Sequence, residues 1–232
     1  MSSPKLLKYH KPFLWLLIVL PPVIIILIQQ LSKINYIISS IYKIVFLVPL
    51  FYRIFIYKRS LKESIKEGLN FDKFKTNLKN NLLVILVLGL VFFGTFFLLK
   101  SQLDFSRIAE QLGEKVAVNA QNIVFIGLYV IFINSFLEEY FWRGFMYKEL
   151  RKVSTRLSAS VLTGIGFALH HLMIIYSFLE WYFVGIMFLG LVGFGMFMNH
   201  TLEKKELFSC WFIHAAMDVI MISIGLIIFG IV

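Results

Sequence analysis

The 232-residue chain has a single cysteine, Cys210, so no intrachain disulfide can staple it. Proline is as scarce: Pro4, Pro12, Pro21, Pro22 and Pro49 all lie near the start. Beyond Pro49 no missing N–H forces a helix to break. Acidic side chains number 13 against 23 lysines and arginines, and all charged residues together make up only 16% of the chain. Repeats, low-complexity tracts and long polar stretches are also lacking. These shortages exclude a disulfide-built secreted domain. They also exclude an ordinary soluble domain, whose apolar share would be about 45–50%.

What fills the chain instead is hydrocarbon, with 59% hydrophobic residues and a mean hydropathy of +0.82. Apolar runs of about 20 residues are long enough to cross a bilayer core of about 30 Å. The expected fold is all-α, a polytopic transmembrane helical bundle of about seven spans, at 13–31, 35–57, 81–99, 122–147, 157–178, 181–200 and 207–232. The first run is too long for a signal-peptide core, and LIQQLSK offers no small-x-small cleavage site. It reads as a retained span with a kink at Pro21-Pro22.

The net charge of +10 does not point to nucleic acid, because the basic residues sit between the hydrophobic runs. Lys5, Lys8 and Lys11 precede the first span, and Arg53 to Lys79 fill the second connection with basic residues. Lys148, Arg151, Lys152 and Arg156 follow the fourth span, and Lys204 and Lys205 the sixth, while the alternate connections are poor in positive charge. The positive-inside rule then gives a multi-pass protein, N-terminus cytoplasmic and C-terminus outside, expected in the plasma membrane. Residues 51–80 read as a basic amphipathic segment on the cytoplasmic surface, and 101–121 as an amphipathic helix on the other side. Cys210, within an apolar run, reads as packing.

Few ionisable residues fall inside the spans: Lys43, Glu138, Glu139, Arg143, His170, His171, His214 and Asp218. Carboxylates in hydrocarbon are costly unless paired, hydrated or protonated, so NSFLEEYFWRGFMYKEL is informative. At about 1.5 Å per residue, Glu138 lies roughly 15 Å, His214 roughly 12 Å and His171 roughly 20 Å from the cytoplasmic ends of their helices, so the three can meet. Glu139 and Arg143 are four apart and share a face, as do His214 and Asp218. Glu138 is turned about 100° from Glu139 and must find other partners, of which His171 and His214 are the economical ones. His170 is turned away from His171 by one helical step and reads as packing, and Lys43 reads as structural or snorkelling. Isolated polar groups often only glue helices together in lipid. Two carboxylates, two histidine sites and an aspartate on three helices at one depth favour a functional centre.

These residues carry a resemblance. Glu138-Glu139-x-x-x-Arg143, Phe167-x-x-x-His171 and His214-x-x-x-Asp218, in that order on successive spans, resemble the CPBP family, which groups type II CAAX prenyl proteases with the Abi bacteriocin-processing and self-immunity proteins. The resemblance covers roughly residues 80–232. It divides the chain into N-terminal spans with their basic connection (1–80) and a catalytic membrane core (81–232). It implies an intramembrane endopeptidase cutting a peptide or a membrane-anchored protein near the cytoplasmic face. Glu138 would be the general base and His171 would hold the attacking water. His214 and residue 218 would stabilise the oxyanion, with Glu139, Arg143 and Phe167 in support. The prenyl proteases usually carry asparagine where this chain has Asp218. An ionised aspartate cannot donate to an oxyanion, so Asp218 is either protonated or orients His214 as sole donor, and the second reading is adopted.

A metal-free mechanism without cofactors is the preferred expectation, with zinc on Glu138, His171 and His214 as the alternative. Other intramembrane proteases do not fit. The chain has no H-E-x-x-H helix and no second buried aspartate, and Ser135 and Ser209 lack a G-x-S-x-G setting. Two further readings stay open. One is a non-catalytic immunity or scaffold protein that binds a peptide in the same cavity. The other is a transporter with a proton relay, disfavoured because the polar residues cluster toward one face.

Overall fold

The computed structural model describes residues 4–31, 36–68, 73–177 and 179–231, and these residues are helical without a strand. The first turn with Lys33, positions 69–72 of the basic connection, and the expected span ends at 178 and 232 lie outside the described residues. Six helices are long and apolar enough to cross a membrane. They include α1 (Pro4–Ile28), which continues through Pro12, Pro21 and Pro22. Membrane helices tolerate such prolines when neighbours satisfy the freed carbonyls.

The second expected span is the main correction. Within the expected 35–57, the described residues form not one helix but a short α2 (Tyr36–Ser39), a 3-10 stretch (Ile41–Leu47) and α3 (Val48–Phe55). Pro49 stands in the first turn of α3, where its missing N–H costs no helical hydrogen bond and its fixed φ suits the start of a new helix. The pieces still run the length of the bundle. Ser39 Oγ donates to the Val116 carbonyl at one end (3.1 Å), and Tyr57 donates to Glu149 at the other (2.6 Å). Glu149 is buried there, paired with His10 at 3.2 Å and Lys152 at 2.7 Å, which ties the ends of three elements together.

The basic connection is likewise not one surface helix. It holds a short α4 (Leu61–Gly68) and then supplies the first turns of α5 (Phe74–Leu99). Residues 101–121 meet the expectation with an amphipathic α6 (Phe105–Val116), capped by Asp104, whose side chain accepts from Arg107 N.

α7 (Ile123–Arg151) is the axis of the molecule. Every residue from 138 to 147 is buried, because α1, the 3-10 stretch, α8 (Arg156–Ile175) and α10 (Leu207–Ile228) surround it. Phe141, Trp142 and Phe145 pack there with Leu14, Leu17, Phe46 and Phe167. Two π-helical turns, Val130–Asn134 and Trp142–Tyr147, flank the Ser135–Phe141 segment that carries both glutamates. Such turns widen a helix locally and recur at functional sites. α5 faces outward with Leu82, Leu83, Leu86 and Leu90 exposed, as a lipid-facing helix must.

α8 and α9 (Trp181–Lys204) approach closely through small residues. A Cβ on Gly195 would stand 2.8 Å from the Gly164 Cα, a backbone atom that cannot yield. Gly195→Ala is therefore expected to destabilise the bundle by about 1–3 kcal/mol through overpacking, read as a lower unfolding temperature in detergent.

Candidate active site

Three long helices deliver the polar side chains. α7 brings Asn134, Glu138, Glu139 and Arg143, α8 brings His170 and His171, and α10 brings His214 and Asp218. Glu138 is only 2% exposed. Its Oε1 accepts from Asn134 Nδ2 at 2.6 Å, one helical turn earlier. Its Oε2 faces three imidazoles: His170 Nε2 at 3.3 Å, His171 Nε2 at 3.5 Å and His214 Nε2 at 3.9 Å.

Glu139 points a different way, as its position on the helix requires. Its Oε1 accepts from Arg143 at 2.8 Å and from His214 Nδ1 at 2.7 Å. The Arg143 guanidinium lies 4.2 Å from the centre of the Phe167 ring, so Phe167 supports both the ion pair and, at 4.4 Å, the His171 ring. His171 Nδ1 is 2.9 Å from the Phe167 carbonyl, which can only accept. The neutral ring therefore carries its proton on Nδ1 and presents a lone pair from Nε2 toward Glu138. His214 Nδ1 is held by the Glu139 carboxylate, and its Nε2 faces the cluster. Asp218 Oδ1 is 3.8 Å from that nitrogen, beyond hydrogen-bond range. The residue in hydrogen-bond contact with His214 is thus Glu139, not Asp218 as expected.

His170 is the larger surprise. It does not face away but is fully buried against Glu138, with its ring centre 3.9 Å from that of His171. A step of 100° does not separate two rings when the carboxylate sits between their directions. Asn134 was missed too, although the spacing N-x-x-x-E was a readable signal of an i,i+4 contact. Lys43 lies among the rings of Tyr129 (4.8 Å), Tyr36 (5.4 Å) and Tyr42 (5.9 Å).

The donor set also bears on metal. Glu138, His170 and His171 offer ligand atoms within 4.8 Å of one another, so the tight group contains His170 rather than His214. The separations of 3.3 and 3.5 Å from Glu138 Oε2 are near the edge of about 3.4 Å that a tetrahedron with zinc bonds of about 2.0–2.1 Å would have. By spacing and donor type these three side chains fit zinc.

The bundle and its carboxylate–histidine cluster define a polytopic helical membrane protein with a buried polar centre. Residues 120–220 match the family model described as type II CAAX prenyl endopeptidase Rce1-like. The match over that stretch supports the CAAX-protease family assignment that the three motifs suggest and, at family level, a CAAX-protease-like intramembrane peptidase. No curated protein and no solved structure gave a match.

Proposed function

We propose that the protein is an intramembrane endopeptidase in which Glu138 activates water against a peptide bond near the cytoplasmic face. The observation that supports this most is one buried carboxylate oxygen facing three imidazole nitrogens from two other helices. The His171 side chain is 18% exposed while those of Glu138, His170 and His214 are almost closed off, so His171 is where water and substrate meet the cluster.

A water donating to the His171 Nε2 lone pair also lies within reach of Glu138 Oε2. Glu138 takes a proton as the water oxygen bonds to the scissile carbonyl carbon, whose π electrons move onto oxygen. That oxyanion faces His214 Nε2, which as an imidazolium donates to it while Glu139 holds Nδ1. The tetrahedral adduct then collapses, the C–N bond breaks, and the proton on Glu138 passes to the leaving amine. Water is consumed, and one carboxylic acid and one amine form. Peptides or membrane-anchored proteins are the fitting substrates. The basic connections support an orientation with the N-terminus in the cytoplasm, and the plasma membrane is the location proposed with it.

Zinc held by Glu138, His170 and His171 would supply Lewis-acid activation of water. The metal-free form accounts better for the remaining residues. With Glu138 a ligand, Glu139 stays held by Arg143 and His214, and the base would have to be Asp218, whose neighbour in the cluster is His214 rather than the more exposed His171. Purified protein is therefore expected to carry far less than one zinc per chain by elemental analysis. Turnover is expected to persist after chelation, and a loss restored by zinc would reverse the cofactor assignment.

The decisive assay is cleavage of a fluorogenic peptide in detergent by wild type, Glu138→Gln and His171→Ala. Unchanged turnover in either variant rejects the mechanism. Peptide binding that survives Glu138→Gln, with no cleavage by wild type, would favour the immunity or scaffold reading.

A further inference from the structure

His170 lies outside all three motifs, and the mechanism above does not use it. Its ring is fully buried, stacked on Trp142 at 5.6 Å and 19°, and met edge-on by Phe46 at 5.5 Å and Phe167 at 5.4 Å. This is a box built for a phenyl ring. Neither ring nitrogen finds a hydrogen-bond partner, although an unpaired polar atom in such a place is costly. The carboxylate that Nε2 faces is Glu138 Oε2, at 3.3 Å.

The proton positions decide what this contact can be. His171 is committed to the Phe167 carbonyl through Nδ1, so its neutral ring offers Glu138 only a lone pair. His170 is bound by no such partner and is free to carry its proton on Nε2. The nearest N–H that can grip Oε2 is therefore on His170. Asn134 already grips Oε1 at 2.6 Å. Together they would fix the plane of the carboxylate and leave a lone pair of Oε2 for the water on His171. At 3.3 Å the nitrogen is within reach of Oε2 but not aligned on it, and catalytic hydrogen bonds are often poorly aligned before substrate closes a site.

We infer that His170 is a positioning residue, an Nε2–H donor that holds Glu138 in its reactive orientation. The inference rests on the peptidase reading. A packing role and a donor role predict opposite orders for two substitutions in the full-length protein. His170→Phe keeps the ring in its aromatic box and removes the donor. His170→Gln loses the ring and keeps an N–H at similar reach.

Steady-state cleavage of the fluorogenic peptide is expected to show kcat reduced roughly 10²-fold in His170→Phe, the order of loss that misplacing a catalytic group brings, with KM little changed. His170→Gln is expected to recover most of that loss. Protection of buried Cys210 from a maleimide reports that each variant is folded. Wild-type kcat in His170→Phe overturns the inference, and so does an equal loss in both folded variants. If His170→Phe does not fold, His170→Gln decides alone: near-wild-type kcat supports the donor, and a loss as deep as that of Glu138→Gln overturns it. Should wild type show no Glu138-dependent cleavage, the peptidase reading itself falls. Should wild type cleave and His170→Phe cleave as fast, only this inference falls.

Discussion

Glu138→Gln is expected to reduce cleavage by about 10²–10⁴-fold, the usual contribution of a positioned general base, while the bundle stays folded. Glutamine has the same shape, and its carbonyl oxygen can still accept from Asn134 Nδ2 as Glu138 Oε1 does at 2.6 Å. Its amide nitrogen then faces the lone pair of His171 Nε2, which it can satisfy, and His170, whose Nδ1 has no partner, can move its proton there and accept from the amide as well. What it cannot do is take a proton. Peptide affinity and thermal unfolding should therefore change little while turnover collapses, and the assay separates the two. A variant that unfolds with the loss of activity would mean that Glu138 is a structural anchor rather than a base.

Arg143→Met is expected to give the largest loss of stability, about 3–5 kcal/mol, because it takes the guanidinium from a buried carboxylate and leaves Glu139 with His214 alone. Arg143 and Glu139 are essentially inaccessible, and their 2.8 Å contact lies where no water can replace it. Methionine restores the volume over Phe167 but not the charge. The single cysteine supplies the measurement. Cys210 is fully buried, so its rate of maleimide modification in detergent rises as the bundle opens. Adding Glu139→Gln to Arg143→Met should recover much of the stability, since replacing both partners of a buried pair costs far less than removing one. No recovery would mean that Arg143 acts through packing alone.

The helical bundle was legible because hydrocarbon length and charge alternation act one segment at a time. The Glu139–Arg143 pair and the shared face of His214 and Asp218 were legible because i,i+4 geometry is local. Glu138, His171 and His214 could be brought together by depth alone, and the three do meet. The break in the second expected span was harder to see, since 35–57 is apolar enough for a helix and Pro49 marks only where α3 begins, downstream of the 3-10 stretch. His170 was misread because helical phase assigns a direction to the backbone position and not to the reach of an imidazole. In α7 periodicity had nothing to say, because 138–147 is buried on all sides. Whether His214 would bond to Glu139 or to Asp218 depended on how two helices pack, which no single-segment pattern contains.

Glu139 Oε1 receives both Arg143 and His214, so one atom serves two masters. A substitution at 139 must alter thermal endurance and turnover together, and no selection scheme can improve either property there in isolation. An engineer seeking a hardier version of this protein would have to leave that position alone and look to the lipid-facing surface instead.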